Sequence, residues 1–516
     1  MNKYNNPLLS LYHKNEMQNG LSALSEATCE DLNVEDLFIR TDYTSSCVGR
    51  QYLYHLLHTD QVSEVAQHEK LIQQLTDDKA LQNTLMNRLK KLNHADAFSI
   101  ASFFIDQGTE ISKKEQRLIY YCRFLPFLLL GLTLILQSPV FLLLFIPSII
   151  LNGVLHYKNK YKIQSYFFSI PQLILLLKQA ELLASDNPFT SIQTNIKECL
   201  NEVAVLKKKL MIFKLSIRLE NEIAIVAYLM AELLHIFFLT EAYAVSTAFM
   251  LLKNKKECLK KIYCFVGLLD TLNSISLFRQ SLPHFCTPSP SAANEWSIEA
   301  RSVYHPLINN AVANNLHLEK KSVLITGSNM SGKTSFIRTI GVNLLMAKSL
   351  NTCCARHFEM QIDRKLCSAI HITDDLTKGE SYYLKEVACM KELLEKSERG
   401  NALFLLDEIF KGTNTIERIA IAKAVLSALS QHGNIVLAAT HDLELAALLD
   451  KEYELYHFSE VIQNNCLSFN YLLKKGVATE RNAIRLLELY QYPQEVVREA
   501  YRLCKDHTSN ASFSCL

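Results

Sequence analysis

Gly327-Ser328-Asn329-Met330-Ser331-Gly332-Lys333-Thr334 fits the phosphate-loop spacing G-x-x-x-x-G-K-[ST]. The apolar, β-like run Val323-Leu324-Ile325-Thr326 leads into it, and Ser335-Phe336-Ile337-Arg338-Thr339-Ile340 leads out as a helix-like run. That strand–loop–helix context separates a working phosphate loop from a chance match. Glycines let the loop wrap closely around phosphates, while backbone N–H groups and the helix N-terminus point at the negative charge. All eight residues are therefore candidate nucleotide contacts. Lys333 is expected to reach the β- and γ-phosphates, and Thr334 to ligate Mg²⁺. The competing reading is a glycine-containing strand–helix turn with an incidental Lys-Thr, and the flanks favour the phosphate loop.

A second segment completes this reading. Ala402-Leu403-Phe404-Leu405-Leu406 is an apolar strand that ends in Asp407-Glu408. Alone that is a weak signal, but downstream of a phosphate loop it has the Walker B arrangement. Asp407 is the expected Mg²⁺ ligand, directly or through water. Glu408 is the expected group that orients or deprotonates the attacking water. A further strand, Ile435-Val436-Leu437-Ala438-Ala439-Thr440, ends at His441, which can meet the γ-phosphate or the attacking water. Lys333, Glu408 and His441 are the catalytic candidates, with ATP and Mg²⁺ as ligands. Between the two Walker segments, Gly379 and Ser381 sit where a helix begins, and a helix N-terminus with a serine hydroxyl is an anion-binding device. In ATPases that dimerise head to tail across nucleotide, such a segment completes the partner's site, so Ser381 is the candidate contact in trans.

The 516 residues predict two to four domains. A net charge of +2 gives no global polyanion-binding signature, so any nucleic-acid contact must come from local patches. The 14 cysteines form no C-x-x-C pair, and reduced thiols are the simplest reading. Residues 1–282 read as an all-α core, 283–300 as a Pro- and Ser-containing linker, 301–505 as an α/β nucleotide-binding domain and 506–516 as a tail. Within the core, Leu37 to Ser46 reads as a short extended or turn segment. Gly49-Arg50 opens an amphipathic helix carrying Leu53, Leu56 and Leu57. Another helix is expected to hold Val62, Val65, Leu71, Ile72 and Leu75. The clusters Lys207-Lys208-Lys209, Lys253 to Lys256 and Lys260-Lys261 read either as solvated helix faces or as contacts to DNA phosphate or anionic lipid.

Residues 118–157 stand out. No charge falls between Phe124 and Leu155, and Gln137-Ser138-Pro139 is a turn signal in the middle. Two helices of roughly 19–20 residues follow, about the length that crosses a bilayer. Lys113, Lys114, Arg117 and Arg123 flank one side and Lys158, Lys160 and Lys162 the other, which puts both ends in the cytoplasm. The readings are a membrane hairpin, favoured by these flanks, and a buried hairpin in a soluble protein. Ile223 to Leu252 is also apolar but contains Glu232, His235 and Glu241, so it is expected to be a buried core helix rather than a third span.

Taken together, these motifs resemble the MutS family of DNA mismatch-repair ATPases. Tyr304-His305-Pro306-Leu307 is similar to its His-Pro motif, and the loop at 327–334 matches its Walker A, including Asn329-Met330. Asp374-Asp375-Leu376 with Gly379-Glu380-Ser381 resembles its signature. Asp407-Glu408 through Gly412-Thr413-Asn414-Thr415 resembles its Walker B extension, and Ala439-Thr440-His441 its Ala-Thr-His. Leu37 to Gly49 and Leu269 to Ser274 resemble the start and end of its helical core. The resemblance implies an ABC-like P-loop fold after the helical core, ATP hydrolysis at sites shared by a homodimer, DNA binding and a clamp motion. It departs at Tyr382-Tyr383, where the family has Thr-Phe, and at Phe410-Lys411. No mismatch-reading or connector domain is expected ahead of the core. The rival expectation is a MutS-derived ATPase without mismatch recognition, anchored through 118–157 to the inner face of the cell membrane.

Overall fold

The computed structural model describes the chain apart from residues 1–5, 105–112, 168, 190–191, 193–194, 214–232, 235, 291–296, 329, 372–381, 464–465, 478–486, 489 and 512–516. It divides into two compact units. The first comprises residues 1–21, 41–56 and 67–280, and the second comprises 22–40, 57–66 and 281–516.

The described part of the first unit is helical. Its centre is the long helix Lys256–Gln280, which buries both apolar and polar side chains. Asp270 on this helix is fully buried and caps the start of the helix Cys47–Leu57. It accepts the backbone N–H of Ser45 at 2.9 Å and of Ser46 at 2.8 Å, and the Ser46 hydroxyl at 2.5 Å. The close approach needs Gly49, because a Cβ there would stand 2.2 Å from Asp270 Oδ2. Alongside, the buried Arg50 pairs with Asp42 at 3.0 Å, and Tyr263 donates to Gln51 at 2.7 Å.

Two local expectations change. The stretch expected to be extended begins instead as the helix Val34–Thr41, because Val34, Leu37 and Phe38 are buried at helical spacing. The helix expected to start near Val62 starts later. Ser63 accepts from the N–H of Val65 and donates to the Ser349 carbonyl, which holds the chain out of helix there. A 3₁₀ turn, Glu64–His68, and the helix Glu69–Asp77 follow, while Val62 is exposed.

The apolar hairpin forms as two helices, Leu125–Leu136 and Pro139–Phe167, joined through Gln137 in the left-handed region. Of the stretch from Ile223 to Leu252, residues 223–232 and His235 lie outside the described residues. The remainder is not one buried helix. The chain breaks at Leu239, φ 46°, before the helix Thr240–Asn254, and Leu233, Leu234 and Phe238 are exposed. The basic clusters are partly tied down inside the unit. Lys207 pairs with Glu181, Lys255 with Glu202 at 2.7 Å, and Lys260 with Glu16 at 2.8 Å.

The second unit is a mixed α/β body. Strands β1 (Ser297–Val303), β2 (Asn314–Glu319) and β4 (His357–Met360) form an antiparallel sheet in the order β2-β1-β4. A six-stranded sheet has the order β5-β6-β7-β3-β8-β9. Its strands are β3 (Ser322–Thr326), β5 (Lys365–Ala369), β6 (Ala402–Asp407), β7 (Ile435–Thr440), β8 (Tyr453–Gln463) and β9 (Cys466–Lys475). All pair in parallel except β9. The strands β3 and β7 are buried along their whole length, as expected of parallel strands covered on both faces.

Two segments from the N-terminal half of the sequence are built into this body. Asp31, almost fully buried, accepts from the Ser368 hydroxyl at 2.6 Å and from the N–H groups of Ile370 at 3.0 Å and His371 at 2.8 Å. Asp60 pairs with Lys348, which also donates to the Arg364 carbonyl. The Asp60 pair fixes the start of β5 and Asp31 its exit, ahead of the segment that carries Ser381.

Candidate functional site

Because β3 lies between β7 and β8, and β7 between β3 and β6, the carboxyl ends of β3, β6 and β7 are neighbours. Thr326 is in register with Thr440, and Asp407 with Ala439. The crevice beyond such strand ends is where open α/β sheets bind ligands. Residues far apart in sequence, Lys333, Thr334, Asp407, Glu408 and His441, are thereby brought to one place.

The phosphate loop turns on two glycines. Gly327 has φ 138°, and a Cβ there would stand 2.8 Å from the Phe458 carbonyl and 2.9 Å from Ser331 Oγ. Gly332 has φ 105° and precedes the helix Lys333–Leu350. Lys333 is buried and folds back over the loop, donating to the carbonyls of Gly327 at 2.6 Å and Ser328 at 2.7 Å. Burial lowers its pKa, opposed by the carboxylates of Glu408 and Asp407. Ser331 is buried and donates to the Ser328 carbonyl at 2.7 Å, whereas Met330 is exposed. Asn329 lies outside the described residues, as does Ser381 with the rest of its signature.

Thr334 Oγ1 donates to Asp407 Oδ2 at 2.5 Å. The other oxygen, Asp407 Oδ1, is buried with no hydrogen-bond partner among the described residues. Burial raises the Asp407 pKa, moderated by the Thr334 hydrogen bond. A buried oxygen of this kind beside a hydroxyl is a hard-donor pair suited to Mg²⁺, a cation that takes one or two protein oxygens and fills its remaining positions with water and phosphate. The residues present fit the metal.

Glu408 follows with φ 49°, its N–H bonded to the Ala439 carbonyl at 2.9 Å. Its carboxylate is largely buried and held from two sides, by Lys411 at 2.7 Å and by His441 Nδ1 at 3.5 Å. The His441 hydrogen bond, with Lys411, pulls its pKa down to about 2. The same Glu408 contact raises the pKa of His441. Behind His441, Arg418 grips Asp442 with two hydrogen bonds at 3.0 and 2.8 Å.

Sequence reasoning missed Glu386. It lies on the helix Tyr382–Ser397, is almost fully buried, and accepts the N–H of Lys411 at 3.1 Å and of Gly412 at 3.3 Å. It thereby holds the loop that carries the Lys411 partner of Glu408. A glutamate inside a helix carries no local motif signal.

Beside the loop, a cavity of about 350 Å³ is lined by His305, Ile308, Val312, Gly332, Phe336 and Tyr471, among others. Its walls mix apolar side chains with the polar ones of Asn309, Asn310, Asn314, Ser335 and Thr339. His305 belongs to the His-Pro motif noted in the sequence. Burial, with Arg338 nearby, lowers its pKa to about 4, so it is neutral at physiological pH.

Residues 323–507 match the family described as MutS domain V. DNA mismatch repair protein MutS of Thermotoga petrophila is 29% identical over 271 residues, covering 50% of this chain and 33% of that protein. MutS protein homolog 4 of Homo sapiens is 28% identical over 274 residues, covering 49% of this chain and 29% of that protein. DNA mismatch repair protein MutS of Aquifex pyrophilus is 33% identical over 211 residues, 39% of this chain and 25% of that protein. The matched stretch thus spans a third or less of each of these curated relatives. With phosphate loop, Walker B strand and Ala-Thr-His strand assembled at the carboxyl ends of neighbouring strands, the α/β part of the chain is similar to MutS domain V.

Proposed function

We propose that this protein binds and hydrolyses Mg²⁺–ATP, at sites completed by Ser381 of a second copy, and uses the cycle to shift its helical core between open and closed clamps on DNA. The role is DNA mismatch repair or a related form of DNA maintenance. The observation that carries the reading is the triad of Thr334, the half-satisfied Asp407 and the doubly held Glu408, set against a phosphate loop. Bound Mg²⁺ supplies charge neutralisation at the phosphates. Lys333 supplies the mobile cation of the site, and it leaves the carbonyls of Gly327 and Ser328 when a phosphate offers a better partner. A carboxylate with a pKa near 2 is a poor proton acceptor but a good hydrogen-bond acceptor. Glu408 therefore orients water, and His441 steadies it. The relatives named as mismatch repair proteins support the DNA role, and an ATP-driven population shift is the physical form a clamp motion takes.

The test is Glu408→Ala. ATP binding should persist while turnover falls about a hundredfold or more, the usual contribution of a positioned acid–base group. Undiminished turnover overturns the assignment. Salt-dependent binding to duplex DNA checks the partner, because neutralised phosphates make affinity fall steeply with salt.

A further inference from the structure

The helix Pro139–Phe167 is built inside out for water. Its buried polar residues Ser148, Asn152 and His156 recur every fourth position, which puts them on one face. Asn152 is 0% exposed, and its Nδ2 donates to the Phe237 carbonyl at 3.1 Å. That carbonyl lies just before the break at Leu239, where helix hydrogen bonding is interrupted. The Phe237 ring packs against Phe127 and Phe145 at 5.3 and 5.9 Å between centroids. The opposite face is apolar and open. Leu143, Ile146, Ile150 and Val154 are exposed, Leu143 by 72%, and Leu134 and Ile135 extend the surface onto the other helix, Ile135 by 78%. A helix in water places these two classes of side chain the other way round.

We propose that this surface is covered by a lipid bilayer, which the hairpin crosses twice, with its turn on the far side and both ends on the near side. Hydrocarbon leaves apolar side chains where they are and drives polar groups inward to find partners. The dimensions agree. Pro139–Lys158 holds 20 residues, about 30 Å at 1.5 Å per residue, against a hydrocarbon core of about 30 Å. Lys114–Leu136 holds 23 residues and reaches that length through the turn at Arg123-Phe124 that joins the helices Lys113–Cys122 and Leu125–Leu136. At the open end of the hairpin, Tyr120, Tyr121, Phe124 and Tyr157 are exposed, the place and residue types of an interfacial aromatic belt. Arg123 stacks over Phe124, and Lys158 pairs with Glu115 at that same end. The turn Gln137-Ser138-Pro139 carries no charge to hinder its passage.

The experiment uses the full chain, purified in mild detergent and reconstituted into phosphatidylcholine–phosphatidylglycerol vesicles. Vesicles are captured by a C-terminal tag, so that only outward-facing molecules are read. The chain should float with the vesicles through high-salt and alkaline washes. In a Ser138→Cys variant, read on the peptide that carries position 138 so that the native cysteines are set apart, the new thiol should resist a membrane-impermeant maleimide until the vesicles are opened. A Lys158→Cys variant should react at once. Recovery of the chain in the wash without detergent, as monomer or oligomer, overturns the proposal. So does labelling of Ser138→Cys from outside at the rate of Lys158→Cys.

Discussion

Asp270 in the helical unit is fully buried and Asp407 in the α/β unit half-buried, and burial raises the pKa of both carboxylates. They differ in what their oxygens meet. Asp270 has both oxygens occupied, by two backbone N–H groups and a serine hydroxyl. Asp407 has one oxygen on Thr334 and one with no partner among the described residues. A buried charge costs stability unless its lone pairs are satisfied. Asp270 is therefore a structural cap, while the incomplete satisfaction of Asp407 marks a seat for a cation.

The sharpest way to break this contrast is Asp407→Asn. Turnover should fall roughly a thousandfold, since losing a metal ligand removes several kcal/mol of charge stabilisation. Thermal stability should hold or rise slightly, because the neutral amide lifts a desolvation cost. A large loss of stability would mean that Asp407 is structural too. Asp270→Ala should behave in the opposite sense. It strands three donors and should cost about 3 kcal/mol in denaturant titrations of the full chain in detergent, with nucleotide affinity little changed.

The pH dependence separates the two further. The Asp270 pKa is raised from 3.8 to about 6 by burial, against the Ser45 and Ser46 hydrogen bonds. A raised folded-state pKa contributes stability that is complete below the unfolded value and is lost as pH rises through the folded one. Stability should thus fall by on the order of 2 kcal/mol between about pH 4 and pH 7, and Asp270→Asn should flatten that slope. A slope that survives in Asp270→Asn would assign it to other groups. The smallest effect belongs to Glu386→Gln, which keeps the shape but weakens the hold on Lys411 and Gly412. Loss of charge assistance there should lower kcat about tenfold and leave KM unchanged. A KM effect instead would place Glu386 at the nucleotide rather than behind Glu408.

The parts of the site that could be read in the sequence are local. The loop at 327–334, the strand before Asp407 and the strand before His441 each carry their meaning within a few residues, and the fold only had to bring them together. The contacts that escaped join distant positions. Asp31 reaches the end of β5, Asp60 reaches Lys348, and Glu386 reaches the 411–412 loop. None alters local periodicity. For the same reason residues 22–40 and 57–66 read as part of an all-α core, yet they are built into the α/β unit. Length and hydropathy were ambiguous in another way. Lys256–Gln280 meets the same spanning criteria as the hairpin helices, but 83% of its apolar window is buried against 22% in theirs. Only packing separates a core helix from one whose surface faces outward.

Gly49 and Asp270 have a consequence for how this sequence can drift. The two meet so closely that even a methyl group at 49 would overlap the carboxylate. Neither position can be replaced alone without losing the cap on the helix Cys47–Leu57. Gly49→Ala would become tolerable only after position 270 had shrunk, and a smaller residue there gains nothing while 49 stays glycine. The pair should therefore change together or not at all, so that a single hydrogen-bonded corner restrains two positions 221 residues apart in the sequence.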